Sequence, residues 1–438
     1  MPTAIAKMYS WTMQVGLQAM VIADRLWGNL VIDPSGESSP HTLIAKLRGK
    51  GDVLRTYTVN GWCVISHKNV KSLLRDTRLS SEVFESQFIQ RVIRSAARAQ
   101  IIPIIDHPNM VNLDPPDHTR LRKLAASGFT NRFVQSLRPK IEQIANELLA
   151  EVEGKDEFDI VDSLAKPLPA IVIAEMLGVP AADRHYFEEW SAALIGYTEI
   201  LNPDSIQKAV QGDLAMRDYL RDLVDQKRLC PGQDLISALI EAEEDSEKLD
   251  LEELLSTCTI LLVAGHETTT RLIGNCLLLL LQHPGQFAEV KSDRSLLRNA
   301  IEETLRFEPP LSTLSRIVSE TFDYEGCTFK KGQIILLSLA GANRDPLITD
   351  NPEQFNIHRG SVEHTSFGHG IHLCLGMPLA KLEAEVALNL LFDKFHRLSL
   401  SNQKIEWTDS PFFRGLERLL VGSAEKECRV ATTTNNGF

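Results

Sequence analysis

The chain has 438 residues, of which 43% are hydrophobic and 24% are charged, a balance that is ordinary for a globular protein and argues against disorder. Its 58 acidic and 46 basic residues give a formal charge of -12, which argues against nucleic acid or an anionic membrane surface as the main partner. The seven cysteines are scattered and never spaced as C-x-x-C, so we expect a reducing compartment and a cytoplasmic protein.

The first 40 residues are expected to form an extension ahead of the main domain. An apolar run at residues 11–23 contains Gln14 and Gln18 and is closed by Asp24 and Arg25, so it is too short to span a membrane. It also lacks the basic start and the cleavage site of a signal peptide. We interpret it as an amphipathic surface helix, expect no transmembrane segment, and expect one domain over residues 1–438 because no repeat or linker is visible.

The hydrophobic pattern predicts a mainly α fold with minor β structure. β-branched and aromatic residues flank the Asn60-Gly61 pair, which indicates a hairpin between residues 51 and 66. Apolar residues at three- and four-residue spacing predict helices over 132–152, 209–226 and 251–282. Further strands are predicted within 324–339 and over 416–421. Small β-sheets are therefore expected on the N-terminal side and near the C-terminus.

A helix is predicted to begin after the Asp114-Pro115-Pro116 turn. His118 and Arg122 are spaced i, i+4 on it, so both side chains could reach the same anion. Either residue alone would be interpreted as a solvated charge.

The long helix at 251–282 contains an unusual polar interruption. Ala264 and Gly265 are followed by Glu267, Thr268 and Thr269 within an otherwise apolar run. Glycine and adjacent threonines are costly in a helix interior, so a local opening with a function is one interpretation. The alternative is a tolerated glycine with the polar side chains turned outward.

Two further segments carry candidate residues. Glu303 and Arg306 are three residues apart and share one helical face, as an ordinary surface ion pair also would. In residues 365–381, Phe367, Gly370, Cys374 and Gly376 follow the spacing F-x-x-G-x-x-x-C-x-G.

The glycines of this cysteine segment permit a tight turn against a flat cofactor, and Pro378 suits the first turn of a helix. A cysteine ahead of a helix N-terminus is favoured as a thiolate, the form that binds metals. Three alternatives are a buried structural cysteine, a zinc site with His369 and His372, and a phosphate-binding loop. The zinc interpretation lacks a fourth ligand, and the glycines do not follow G-x-G-x-x-G.

Taken together, these segments run in the order found in cytochromes P450, and the chain resembles that family over nearly its whole length, most weakly before residue 50. The resemblance implies a P450 fold with haem b and Cys374 as the iron ligand, in the loop formed by Phe367, Gly370 and Gly376. It implies that the haem propionates are bound by His118, Arg122, Arg316 and His372. It also implies a structural triad of Glu303, Arg306 and Arg359.

The interrupted helix resembles the P450 oxygen-activation motif A-G-x-[D/E]-T-[S/T]. By that resemblance Gly265, Glu267 and Thr268 would be catalytic, with Thr268 binding dioxygen or its ordered water and Glu267 relaying protons. His266 occupies the variable position and is expected to be structural.

The implied activity is a haem-thiolate monooxygenase that hydroxylates or otherwise oxidises a hydrophobic small molecule. By family position, the walls of the substrate pocket would be Val111, Ile260, Val263, Ala264, Ser312, Leu314, Phe412 and Phe413. Their apolar character favours a terpenoid, steroid or fatty-acid-like substrate.

No reductase domain or cysteine cluster is visible, so a ferredoxin and an NAD(P)H-dependent ferredoxin reductase are the expected electron donors. Arg120 and Lys123 are candidates for their docking surface. We expect a monomer. A peroxide-driven peroxygenase or a P450-like isomerase are alternatives against which Glu267 and Thr268 argue, and a haem-based sensor is a third, for which no output module is visible.

Overall fold

The computed structural model describes residues 40–57, 59–97, 99–199, 202–241, 249–360, 363–408, 410 and 412–423. The helix expected at residues 11–23 lies outside this part of the chain. The α-helices, in chain order, are α1 (Pro40–Arg48), α2 (His67–Leu73), α3 (Gln87–Ala97), α4 (Pro103–Asp106), α5 (Asp117–Ala126), α6 (Asn131–Ser136), α7 (Arg138–Ala150), α8 (Pro167–Leu177), α9 (Arg184–Leu194), α10 (Pro203–Leu229), α11 (Leu235–Glu241), α12 (Leu251–Gln282), α13 (Pro284–Ser292), α14 (Leu296–Phe307), α15 (Leu339–Asn343) and α16 (Met377–Lys394).

The strands are short. They are β1 (Val53–Thr56), β2 (Gly61–Val64), β3 (Leu79–Ser80), β4 (Glu157–Asp159), β5 (Thr313–Val318), β6 (Phe322–Tyr324), β7 (Cys327–Phe329), β8 (Ile334–Ser338), β9 (Ser399–Leu400) and β10 (Leu420–Gly422). The architecture is therefore mainly α with small sheets, as the sequence predicts.

The N-terminal hairpin forms as predicted and joins a larger sheet. β1 and β2 are antiparallel on either side of Asn60, whose φ of +48° suits the tight turn. The sheet order is β1-β2-β8-β5-β3, with β2 parallel to β8. A Cβ at Gly61 would lie 1.6 Å from the carbonyl oxygen of Ile334, so only glycine allows this close approach. The hairpin and the apolar run at 334–338 thus share one sheet instead of forming separate ones.

The helix predicted over 132–152 is divided at Leu137, where α6 ends and α7 begins. Pro139 lies in the first turn of α7, where its missing N–H costs nothing, whereas within a continuous helix it would break the hydrogen-bond ladder. The strand predicted over 416–421 is also shorter: β10 begins at Leu420, and Leu416 makes only an isolated bridge to Trp407.

α12 is the long central helix, and its bounds agree with the prediction. Its 32 residues give a length of about 48 Å at 1.5 Å per residue. Asp250 caps it through a reciprocal pair: the side chain accepts from the Glu253 N–H at 2.8 Å, and the Glu253 carboxylate accepts from the Asp250 N–H at 3.0 Å.

The main hydrophobic core contains residues from Leu47 to Val421, with α7, α8, α10, α12 and α16 all contributing side chains. A second cluster lies around the five-stranded sheet and includes Val64, Val318 and Leu337. Among the helices that the structure describes, none combines the length and the apolar character needed to cross a membrane.

Candidate functional site

The cysteine segment forms a tight loop that ends at the start of α16. Gly368 and Gly370 have φ values of +73° and +77°, in the left-handed region that favours glycine. A Cβ at Gly370 would also lie 2.9 Å from the carbonyl oxygen of Leu74. The Cys374 N–H donates to the carbonyl oxygen of Phe367 at 2.9 Å, which closes the loop. The backbone therefore fixes Cys374 directly ahead of the helix.

The ionisation of Cys374 is set by opposing influences. The residue keeps accessible surface on one side, but protein atoms surround the rest of the thiol, and this burial raises its pKa above the ordinary value. The N–H of Gly376, the guanidinium of Arg122 and the N–H of Met377 act against the rise without outweighing it. The expectation that the helix N-terminus alone favours the thiolate is therefore incomplete. A metal ion bound at the sulfur would supply positive charge that favours the thiolate.

A cluster of basic side chains lies beside the cysteine loop. The rings of His118 on α5 and His372 have centroids 4.1 Å apart. Both ring nitrogens of His118 are buried without a hydrogen-bond partner. Burial, followed by Arg316 on β5, lowers the pKa of His372 to about 3, and burial lowers the pKa of Arg316 to about 10. Buried polar groups without partners are costly, so the cluster fits an anionic ligand.

Arg122 is oriented differently from the other three basic candidates. It is near enough to lower the pKa of His118, after the larger effect of burial. Its NH2 group, however, donates to the carbonyl oxygen of Leu373, immediately before Cys374. Arg122 thus lies near His118 and also contacts the cysteine loop.

Sequence analysis missed two residues that complete this cluster. Ser81 Oγ lies 2.9 Å from His372 Nε2, and the Ser81 N–H donates to Asp114 Oδ1 at 3.0 Å. Asp114 opposes the lowering of the His372 and Arg316 pKa values. Sequence analysis recognised Asp114 only as part of the turn before α5, and nothing in the sequence places residue 81 near residue 372.

α12 continues without interruption through the polar segment, so the structure shows no local opening there. The Thr268 hydroxyl donates to the carbonyl oxygen of Ala264 at 2.7 Å, which satisfies it within the helix. A Cβ at Gly265 would lie 2.9 Å from Cδ1 of Ile173 on α8. The glycine is therefore explained by close packing of two helices.

The surroundings of this segment differ from those of the rest of α12. Ala264 is the one exposed residue in the interior of the helix, all of which is described. The Glu267 carboxylate pairs with Arg271 one turn later, with 3.1 Å between Oε2 and NH2. His266 is buried, and its Nε2 donates to the carbonyl oxygen of Lys166 at 3.0 Å while its Nδ1 contacts Ser191 Oγ. These contacts are what a structural histidine makes.

The three candidate structural residues meet in one buried network. Arg306 donates to both oxygens of Glu303 at 2.8 Å, and Arg359 Nε donates to Glu303 Oε1 at 2.9 Å. The Asn356 N–H donates to the same oxygen at 2.9 Å. Glu303 and Arg306 have no exposed surface. The carboxylate is thus shared by two guanidinium groups away from water.

The candidate pocket residues come from separate elements. Ile260, Val263 and Ala264 lie at i, i+3 and i+4 on α12 and so share a face. Leu314 on β5 is half-buried, its Cδ1 3.8 Å from the Cβ position of Gly368. Val111 is 48% exposed in a short 3₁₀ turn.

Phe412 and Phe413 are tied to the segment before β5. Ser312 donates to the carbonyl oxygen of Phe412 through both its N–H and its hydroxyl, each at 2.8 Å, and Leu311 pairs with Phe413. The Ser312 hydroxyl is therefore engaged in a hydrogen bond to the backbone.

The residues present fit the expected haem. Cys374 is exposed ahead of a helix, a Cβ at Gly376 would meet no atom within 4 Å, and both ring nitrogens of nearby His118 are buried without a partner. The zinc alternative has less support, because His372 is held by Ser81 and the described residues contain no group of three or more His, Cys, Asp or Glu that could hold a metal ion.

Comparisons with known proteins give a consistent result. The profile of the cytochrome P450 family matches residues 62–417. Cytochrome P450 107B1 of Saccharopolyspora erythraea is 40% identical over 400 residues, covering 90% of this chain and 97% of that protein. The cytochrome P450 monooxygenase PikC of Streptomyces venezuelae is 39% identical over 395 residues, covering 88% and 91%. The crystal structure of the myxobacterial cytochrome P450 CYP267B1 with myristic acid has a TM-score of 0.83 at 34% identity, covering 90% and 98%.

Proposed function

Because this chain belongs to the cytochrome P450 family and is a monooxygenase of that family, we propose that it oxidises a hydrophobic small molecule with dioxygen and two electrons from a ferredoxin and its reductase. The observation that carries the proposal is the position of Cys374, fixed ahead of α16 beside a basic cluster in which both ring nitrogens of His118 are buried without a partner.

The cofactor we propose is haem b, with Cys374 as its iron ligand. His118, Arg122, Arg316 and His372 would hold its propionates, and Arg122 also donates to the carbonyl oxygen of Leu373 in the cysteine loop. When bound, the haem supplies an iron whose thiolate ligand favours O–O bond cleavage. The protein's own contribution is to hold the sulfur, to bind the propionates and to exclude water from the pocket.

We assign proton handling to Glu267 and Thr268. Glu267 Oε2 can take a proton that enters from solvent, and Thr268 Oγ1 on the next residue can pass it on or hold an ordered water. Gly265 contributes by allowing α12 to approach Ile173 closely. The presence of both the acid and the alcohol favours dioxygen activation over a peroxide-driven or isomerase reaction.

The substrate class follows from the walls we propose for the pocket. Ile260, Val263 and Ala264 present an apolar face of α12, and Phe412 and Phe413 add aromatic surface. The similar myxobacterial enzyme was crystallised with myristic acid. A saturated fatty acid is therefore a rational first probe of this pocket.

Electron donors are proposed to dock on the side of the cysteine loop. Ile371 and Leu373 are exposed there, at 53% and 38%. Arg120 contributes less than expected, because it is paired with Glu253 and lies 3.5 Å from Asp117. We also propose a monomeric, cytoplasmic protein. The cysteines that the structure describes are all unpaired, as in a reducing compartment.

The test is the absorbance difference spectrum of the reduced protein with carbon monoxide. We expect the strongly red-shifted Soret band of thiolate-ligated haem in the wild type and the band of histidine-ligated haem in Cys374→His. The matched control is Cys276→Ser, a buried cysteine of α12, which should keep the thiolate spectrum. A thiolate-type spectrum that survives in Cys374→His would overturn the ligand assignment.

A further inference from the structure

The side chain of Asn343, the last residue of α15, is fully buried and makes four hydrogen bonds. Its Oδ1 accepts from the N–H and from the hydroxyl of Thr365, at 2.7 and 3.0 Å. Its Nδ2 donates to Ser366 Oγ at 2.7 Å and to the carbonyl oxygen of Leu305 at 3.3 Å. An amide side chain has two N–H donors and an oxygen with two lone pairs, so the whole hydrogen-bonding capacity of this side chain is used.

Two of the residues that Asn343 binds begin the cysteine loop. Thr365 and Ser366 directly precede Phe367, whose carbonyl oxygen accepts from the Cys374 N–H at 2.9 Å. The Ser366 hydroxyl also donates to the carbonyl oxygen of Leu305 at 2.6 Å. The position of the Phe367 carbonyl group therefore depends on two residues that are held from α14 and α15.

Asn343 also joins the cysteine loop to the buried ion-pair network. Its carbonyl oxygen accepts from Arg306 NH1 at 3.3 Å, and the same guanidinium binds both oxygens of Glu303. Asn343 thus contacts the network through its backbone and the loop through its side chain.

The ring of Phe367 has a separate support. Lys381 Nζ lies 5.2 Å from the centroid of this ring and 2.5 Å from Glu302 Oε1. The ring of His364 lies 5.9 Å from it, and His364 Nε2 lies 3.1 Å from Glu302 Oε2. These contacts hold the side chain of Phe367, whereas Asn343 holds the backbone that leads to it. Removing the Asn343 amide should therefore weaken the loop without releasing it.

We propose that Asn343 is a positioning residue for Cys374. It holds Thr365 and Ser366, and through them the carbonyl oxygen that accepts from the Cys374 N–H. The proposal rests on the proposed function, because the position of this sulfur matters only if the haem iron binds there. Residues that orient a metal ligand contribute strongly to metal binding, since a ligand held in place loses little freedom when it binds.

Asn275 on α12 provides a matched control. It is also fully buried, and its Nδ2 also donates to two acceptors, the carbonyl oxygens of Glu308 at 3.2 Å and Arg414 at 3.0 Å. These two acceptors lie outside the cysteine loop. Asn275→Leu and Asn343→Leu therefore both remove a buried amide, but only the second removes support from the proposed ligand.

The first readout is amide hydrogen exchange of Cys374 in the haem-loaded protein, measured by mass spectrometry. Because this N–H donates to Phe367, its exchange reports the hydrogen bond that Asn343 is proposed to fix. We expect exchange about tenfold faster in Asn343→Leu and in Ser366→Ala, as for the loss of about one hydrogen bond. Asn275→Leu should exchange this amide as the wild type does. Ser366→Ala is the smaller change and decides the question if Asn343→Leu does not fold.

The second readout is the lifetime of thiolate ligation. The reduced carbon monoxide complex is held at a urea concentration below the unfolding transition, and the loss of its red-shifted Soret band is followed with time. We expect this loss to be about tenfold faster in Asn343→Leu and Ser366→Ala than in the wild type, and within twofold of the wild type in Asn275→Leu.

The two readouts separate the two proposals. If the wild type has no thiolate-type spectrum, the proposed function fails, while exchange of the Cys374 amide still tests the hydrogen bonds that reach it. If Asn343→Leu and Ser366→Ala leave both the exchange and the lifetime unchanged, or if Asn275→Leu alters them equally, the positioning role is wrong.

Discussion

The charge of a single side chain in this protein depends on which neighbours surround it when it is buried. Burial alone raises the pKa of the Cys374 thiol despite two N–H groups at the helix start. At Glu308 the balance is reversed. Burial favours a higher pKa there too, but His41, Arg414 and Arg344 outweigh that effect and lower the pKa to about 2. His41 Nε2 is 3.0 Å and Arg414 Nε is 3.1 Å from Glu308 Oε1.

The lowered pKa of Glu308 predicts a dependence of stability on pH. The ordinary value is 4.5 and the folded value is about 2, so the ion pairs stabilise the fold above pH 4.5 and are lost as the pH falls toward 2. We expect Glu308→Gln to reduce the free energy of unfolding at neutral pH by about 3 kcal/mol.

The measurement is urea unfolding of the wild type and of Glu308→Gln over that acid range. The difference between them should shrink as the pH approaches 2. Glu363→Gln, at an exposed position paired with Lys71, serves as the control and should show little difference at any pH. A difference for Glu308→Gln that stays constant with pH would contradict the ion-pair explanation.

Between elements, the ion pairs of the buried network join α14 to residues that lie far away in the sequence. α14 supplies Glu303 and Arg306, and Arg359 reaches them from the segment before the cysteine loop. Arg306 also donates to the carbonyl oxygen of Pro352 at 2.9 Å and to that of Gln354 at 3.1 Å. The network therefore fixes the irregular segment 350–359 against α14.

Two arginines of α14 give a direct comparison of buried and exposed ion pairs. Arg306→Ala leaves Glu303 buried with one partner fewer and removes a hydrogen-bond donor from three backbone carbonyls, so we expect a loss of about 3–5 kcal/mol or no folded protein. Arg298→Ala removes a 72% exposed side chain paired with Glu385, so we expect at most about 1 kcal/mol.

Unfolding by urea and the yield of haem-loaded protein measure both effects. Equal losses in the two variants would show that burial of the network does not determine its contribution.

On the scale of the whole molecule, segments from both ends of the described chain pair in β-sheets and pack in the same hydrophobic core. β2 from the N-terminal hairpin pairs with β8, and β4 pairs with β10 near the end of the described residues. The main core contains side chains from Leu47 to Val421. We therefore propose that the chain forms one domain, as the absence of a linker in the sequence led us to expect.

One domain predicts one unfolding transition. Circular dichroism of the helices, fluorescence of Trp62 on β2 in a variant whose other four tryptophans are replaced by phenylalanine, and absorbance of the haem should report the same midpoint in urea. The reason is that alternate residues of β8 pack into both hydrophobic clusters. An earlier midpoint for Trp62 than for the helical signal would show that the five-stranded sheet unfolds separately.

Local chemistry was sufficient for the sequence to determine the helix bounds at 251–282, the hairpin at Asn60-Gly61 and the cysteine loop. Periodicity, turn residues and motif spacing are properties of neighbouring residues, so they can be recognised without the fold. The same reasoning missed the break at Leu137, because the helical pattern runs across Pro139, whereas an unbroken helix cannot hold a proline in its interior.

Only the tertiary structure decided which distant residues meet. It placed Ser81 against His372, paired β2 with β8, and set Gly415 beside Arg271. It also showed that Gly265 is explained by Ile173, and that burial outweighs the helix N-terminus at Cys374. Burial and close approach depend on the packing of elements far apart in the chain, and the pattern of residues along the sequence does not show how those elements pack.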